Sequence, residues 1–65
     1  MTTENMEAHS LEVGDQITIQ GEIYRITDIE DGDSLDYRFV LVDEEGYRRS
    51  VEAQGTNQFS LLTEL

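Results

Sequence analysis

From Leu11 onward the chain alternates apolar and polar residues in short runs that are separated by glycine and aspartate. The clearest run, residues 15–20, places Ile17 and Ile19 on one side of an extended chain and polar residues on the other. This period of two is typical of a strand with one buried face, and no segment carries a helical stripe of ten or more residues. The pattern therefore predicts an all-β domain.

Five short strands are predicted, with hairpin turns at Gly21 and Gly46, where glycine can adopt the positive φ that tight turns require. The fifth is either a strand or a turn of 3₁₀ helix leading into one. The segments are 15–20, 23–30, 36–43, 47–53 and 59–65.

The apolar residues of the second predicted strand, 23–30, do not all fall on one face. Tyr24 and Ile26 share one face, but Ile29 falls on the other. One extra residue in the strand brings all three to the same face, so we expect a β-bulge near Thr27 and Asp28.

The run Val13-Gly14-Asp15-x-Ile17-x-Ile19-x-Gly21-x-x-Tyr24-x-Ile26-x-x-Ile29, followed by Phe39-x-Leu41-Val42-Asp43-x-x-Gly46, resembles the strand pattern of SH3-like barrels, including KOW-type and Tudor-like modules. The matching positions are apolar residues and turn glycines over about half of the chain. The resemblance implies an SH3-like small barrel of about five antiparallel strands. Its expected core is Val13, Ile17, Ile19, Tyr24, Ile26, Ile29, Phe39, Leu41, Val51, Phe59 and Leu61.

The first ten residues are polar and acidic, and they show no period. Such a segment buries too little apolar surface to offset its ordering entropy. We therefore predict a mobile acidic tail at 1–10, with a solvated His9, and one small domain at 11–65.

The composition excludes several chemistries. The 65 residues include no Cys and one His, and they contain no nucleophile–base pair, phosphate-binding loop or cofactor fingerprint. The acidic segment 28–36 fails the calcium-loop register because Ile29 would occupy a ligand position. An irregular cation site at Asp31, Asp33 and Asp36 stays open as a minor alternative. We expect a protein that is not an enzyme and has no cofactor.

The chain contains fifteen Asp and Glu residues but only four Arg and no Lys, which gives a formal net charge of −11. These charges repel each other in dilute buffer, whereas in molar salt the Debye length falls to about 3 Å. The composition resembles that of halophilic archaeal proteins. With no Cys, no signal-like segment and no long apolar run, we expect a cytoplasmic protein that does not enter a membrane.

The function predicted is a non-enzymatic interaction module that binds another protein, as a monomer or weak dimer. The expected patch comprises Tyr37, Tyr47 and Arg48, while Arg48 and Arg49 are expected to pair with cross-strand acids such as Glu22 or Glu52. With four cations, direct binding to nucleic acid is disfavoured. The alternatives are an acidic mimic of nucleic acid and an accessory to a nucleic-acid-processing machine.

Overall fold

A computed structural model describes residues 2–63, which form an all-β fold with six strands in one antiparallel sheet and one short 3₁₀ helix. The all-β prediction is confirmed. The strands are β1 (Thr2–Glu7), β2 (Gln16–Ile19), β3 (Glu22–Asp31), β4 (Tyr37–Asp43), β5 (Arg48–Ala53) and β6 (Gln58–Thr63), and the 3₁₀ helix is Ala8–Ser10.

The strands are hydrogen bonded in the order β1-β6-β2-β3-β4-β5. Strands β2 to β5 form an antiparallel meander, and β6 returns to pair with β2 through Ile17 opposite Leu61 and Thr18 opposite Ser60. Within residues 2–63 no ladder joins β1 to β5, so the sheet is open and these two strands form its edges.

The predicted bulge is confirmed at Thr27. Ile26 lies opposite Leu41, but the next pair joins Asp28 to Val40, so Thr27 is the extra residue of β3. The register shift brings Ile29 opposite Phe39, on the core side of the sheet.

The core lies on one face of the sheet, with Phe39 and Leu41 of β4 at its centre. The buried side chains of the described residues are Ala8, Leu11, Ile17, Tyr24, Ile26, Phe39, Leu41 and Ala53. Half-buried side chains surround them, including the predicted Ile19, Ile29, Val51, Phe59 and Leu61. Edge-to-face contact between the Phe39 and Phe59 rings, with centroids 5.8 Å apart, joins β4 to β6 across the core.

Val13 is the one predicted core residue that the structure contradicts, because 59% of it is exposed. It precedes Gly14 in a turn and does not belong to a strand. The Gly14 N–H donates a hydrogen bond to the Ile26 carbonyl oxygen at 2.8 Å, and Gly14 has a φ of 99°. Strand alternation does not apply in such a turn, and Leu11 is buried there instead.

The segment predicted as a mobile tail, 1–10, instead contains β1 and the 3₁₀ helix within its described part, residues 2–10. Strand β1 pairs with β6 from Thr2 opposite Thr63 to Glu7 opposite Gln58. Because the edge of β6 supplies backbone partners, a mostly polar segment is ordered while burying little more than Met6 and Ala8. Residues 64 and 65 of the predicted last strand lie outside the described residues, as does Met1.

No helix among the described residues is long and apolar enough to cross a membrane.

The core assignment predicts a contrast between two aliphatic truncations. Ile17→Ala removes a side chain with no exposed surface and should lower the free energy of unfolding by about 2–5 kcal/mol. Val13→Ala truncates an exposed side chain and should change it by less than about 0.5 kcal/mol. Urea unfolding of both variants in high salt measures the difference, and equal effects would contradict the assignment.

Candidate interaction surface

The outer face of the sheet, opposite the core, carries a row of alternating charges that we call the paired row. It comprises Glu30 of β3, Arg38 of β4 and Glu52 of β5, which lie directly opposite one another. The Arg38 guanidinium lies 3.9 Å from Glu30 Oε1 and 3.8 Å from Glu52 Oε2, and it also binds the Asp33 carboxylate in the adjoining loop. This cation is surrounded by acids of its own chain.

A second row, which we call the arginine row, comprises Gln16, Arg25, Val42 and Arg48 on β2 to β5. Both arginines are exposed, and among residues 2–63 neither lies within 4.0 Å of a carboxylate oxygen. Half-buried Val42 separates them. Within residues 2–63, two of the four cations of a strongly acidic protein therefore lie on one face of the sheet without an ion pair.

Strand β5 pairs with β4 alone among the described residues, so its other side is open. The Asp43 N–H donates a hydrogen bond to the Tyr47 carbonyl oxygen at 3.0 Å, and this bond fixes the alternation along the hairpin. Residues 49, 51 and 53 direct their backbone groups towards β4, so Arg48, Ser50 and Glu52 direct theirs outward. We call these outward N–H and C=O groups the β5 edge.

Glu52 holds the loop between β3 and β4 against the outer face. Its Oε1 accepts hydrogen bonds from the Ser34 N–H at 3.0 Å and the Leu35 N–H at 3.2 Å. These backbone donors, foremost Ser34, lower the pKa of the Glu52 carboxyl below its ordinary value, and the nearby Arg38 adds to the effect. The loop is therefore fixed beside β5 by a charged acceptor.

The structure separates the members of the patch predicted from sequence. Tyr37 starts β4 opposite Ala53, and its half-buried ring lies 6.0 Å from the Phe39 ring on the core side. Tyr47 is 69% exposed and adjoins Arg48 at the other end of the hairpin. Six residues of strand, about 20 Å, separate the two tyrosines. Tyr47 and Arg48 are neighbours along the chain, and Tyr37 does not lie near them.

The predicted ion pairs of Arg48 and Arg49 take a different form. Arg49 Nη1 donates a hydrogen bond to the Tyr24 hydroxyl at 3.1 Å, and this hydroxyl donates to Glu22 Oε2 at 2.7 Å. Arg49 therefore reaches Glu22 through Tyr24, whose ring centroid is 5.7 Å from the guanidinium carbon. Arg48 pairs with neither predicted acid, and Arg38 lies beside Glu52 instead.

The acidic loop does not gather its carboxylates around one point. Asp33 binds Arg38, and Asp36 Oδ2 accepts a hydrogen bond from the Gly55 N–H at 2.8 Å. Within the described part of the chain, no group of three or more His, Asp or Glu side chains is placed to hold a metal ion.

The chain matches no protein-family model and no curated protein.

The Glu52 contacts predict a pH-dependent loop. A carboxyl with a lowered folded-state pKa stabilises the fold above its ordinary value of 4.5, and this stability is lost as the pH falls through the folded-state pKa. The amide NMR shifts of Ser34 and Leu35, followed from about pH 6 to about pH 2, should titrate with a midpoint below 4.5.

The control is Glu52→Gln, which keeps an acceptor oxygen but cannot titrate, so the shared step should disappear from both amides. A midpoint at or above 4.5 in the wild-type protein would contradict the assignment.

Proposed function

We propose that the protein is a non-enzymatic protein-binding module that adds an extended strand of its partner to the β5 edge. The observation that carries the proposal is the outward row of backbone groups at Arg48, Ser50 and Glu52, which no strand of the described chain covers. In strand addition, main-chain hydrogen bonds supply affinity and alternate side chains supply specificity.

The regularity of β5 supports this use of the edge. Its register with β4 runs without a bulge from Arg48 to Ala53, and the chain contains no proline. Sheet proteins commonly guard an open edge with proline, a bulge, a covering loop or charged side chains, because unpaired backbone groups invite another strand; β5 carries charged side chains but neither proline nor a bulge. Three consecutive residues of β5 are exposed and therefore accessible to a partner: Arg48, Arg49 and Ser50.

The charge of β5 indicates which partner strands it favours. β5 carries Arg48, Arg49 and Glu52 and is the only described strand with more cations than anions. Among residues 2–63 no carboxylate lies within 4.0 Å of Arg48, so an acidic residue opposite it on the added strand forms a cross-strand ion pair. The partner is therefore a protein segment that is extended and carries a carboxylate.

For the fold, we propose a partly open SH3-like small barrel that is built from β6, β2, β3, β4 and β5 and leaves the β5 edge unpaired within the described chain. The return of the last strand to the first strand of the meander supports this assignment, as does the Thr27 bulge, since bulges bend strands in the manner that small barrels need. The anionic surface supports a further proposal, that the protein works in the cytoplasm of a halophile, where salt screens its self-repulsion.

A nucleic-acid mimic is the second candidate function, and an acidic depression favours it. Four carboxylate residues, Glu22, Asp43, Glu44 and Glu45, help to line an open depression of about 490 Å³ at the turn end of the sheet. Carboxylates in such a group can present negative charge to a basic protein in place of phosphates.

Strand addition predicts that Ser50→Pro abolishes partner binding, whereas Ser50→Ala retains it. Proline removes the outward N–H but no bond to β4, so the fold should persist, as it does when proline occupies an edge strand. Loss of the hydrogen bond and the steric clash of the ring should weaken binding by about tenfold or more. Pull-down from a native lysate in high salt, followed by affinity measurement on the recovered partner, tests this.

The two variants share one site, and circular dichroism of both checks that the sheet is intact. Equal recovery of the same partner by wild type, Ser50→Ala and Ser50→Pro would show that the partner does not use the β5 edge.

The mimic predicts a different result with the same partner. Double-stranded DNA should then displace the protein from it, and Glu44→Gln with Glu45→Gln should weaken the complex. Binding that is indifferent to DNA and to both substitutions would exclude the mimic.

A further inference from the structure

We infer that the strand added to the β5 edge is β5 of a second copy of this chain, antiparallel and centred on Ser50. This inference rests on the proposed strand addition and names its partner. Three features of β5 support it: the alternation of its inward and outward backbone groups, its charges, and the absence of an ion pair at Arg48 among the described residues.

The alternation of inward and outward backbone groups along β5 fits such a pair. A two-fold axis at Ser50 sets Ser50 against Ser50 of the second copy and Arg48 against Glu52 of the second copy. These are the residues whose N–H and C=O groups point away from β4. In an antiparallel pair, residues that face each other in this phase exchange both hydrogen bonds. Every outward group from 48 to 52 is then satisfied.

The side chains fit as well, because opposite residues of the joined strands share one face of the sheet. Arg48 has no carboxylate within 4.0 Å in the described part of its own chain. In the pair it lies beside Glu52 of the second copy, and the same contact occurs again across the axis. The arginine row of each copy thereby continues into the paired row of the other.

Other registers lose this match. Moving the second strand by two residues sets Arg48 against Ser50 or against Gln54, and neither offers a negative charge. Shifting it by one residue turns the core face of one copy towards the solvent face of the other. The Ser50-centred register alone combines outward backbone groups with two ion pairs.

The other edge of the sheet is a poorer candidate. Strand β1 carries Glu4 and Glu7 and no cation. Two copies paired there would bring acidic side chains close together in a protein whose formal net charge is already −11. At β5 the local charge is positive, which reduces the repulsion between copies where they touch.

The dimer should be weak and should strengthen with salt. Five residues of each strand, 48 to 52, face each other, and they bury less than the roughly 1,000 Å² expected of a stable interface. Two copies that each carry −11 repel each other over a Debye length of about 10 Å at 0.1 M salt, and over only about 3 Å at 1 M. The contact pairs of Arg48 and Glu52 are screened less than this long-range repulsion.

Analytical ultracentrifugation in about 2 M KCl, from about 20 µM to about 1 mM protein, tests the dimer. Wild type should show a concentration-dependent monomer–dimer equilibrium. Arg48→Glu sets an acid opposite Glu52 and should weaken association by about tenfold or more. Arg25→Glu makes the same charge change in the same row, away from the edge, and should alter it by less than about threefold.

Cysteine trapping tests the register. In a hydrogen-bonded pair the two Cα atoms are about 5.5 Å apart, within the range that a disulfide spans. The chain has no other cysteine. Ser50→Cys should therefore crosslink to a dimer under mild oxidation in high salt. Ser10→Cys, at another exposed serine away from the edge, should crosslink much more slowly.

A wild-type protein that stays monomeric at the highest concentration and salt would overturn the inference. So would equal effects of Arg48→Glu and Arg25→Glu, or equal crosslinking of the two cysteine variants. The proposed function fails separately, through a partner that binds Ser50→Pro as well as wild type. A monomeric protein whose partner binding is lost only in Ser50→Pro would retain strand addition and exclude the second copy.

Discussion

The single extra residue at Thr27 is the constraint on which the rest of the structure depends. It lets β3 direct Tyr24, Ile26 and Ile29 to the same side, so that the core reaches along the whole of β4. The same insertion turns Glu30 outward, where it meets Arg38. Without it, Ile29 would face solvent and Glu30 would face the apolar core, which is costly for an unpaired charge. One backbone irregularity therefore sets both the core and the paired row.

The distribution of charge follows from this register. Arg38 lies between two acids and beside a third, and Glu52 also anchors the neighbouring loop through its backbone amides. Arg25 and Arg48 occupy a row that contains no acid. The outer face is therefore divided. In the paired row the cation is balanced by acids of the same chain, whereas in the arginine row the two cations have no ion pair among the described residues. The arginine row ends at the open edge of β5.

Strand addition joins these features into one account of function. The edge provides hydrogen-bonding groups in a fixed phase, and Arg48 provides a charge that selects the facing residue. Pairing with a second copy satisfies both with residues of the chain itself, because Glu52 lies as far from Ser50 along β5 as Arg48 does. The acidic remainder of the surface limits how strongly two copies attract, which links assembly to ionic strength.

The alternation of apolar and polar residues by itself determined the all-β class, the bulge and most of the core. Successive side chains of a strand point to opposite faces of the sheet, so the position of a residue in the strand decides whether it faces the core. Parity failed at Val13, which lies in a turn, and could not reveal β1, whose order comes from the backbone of β6. Only tertiary structure decided that Val42 and Arg25 lie in one row with Arg48, that Arg38 lies beside Glu52, and that β5 is an edge. These depend on which strands pair and in what register, and distant segments settle that together.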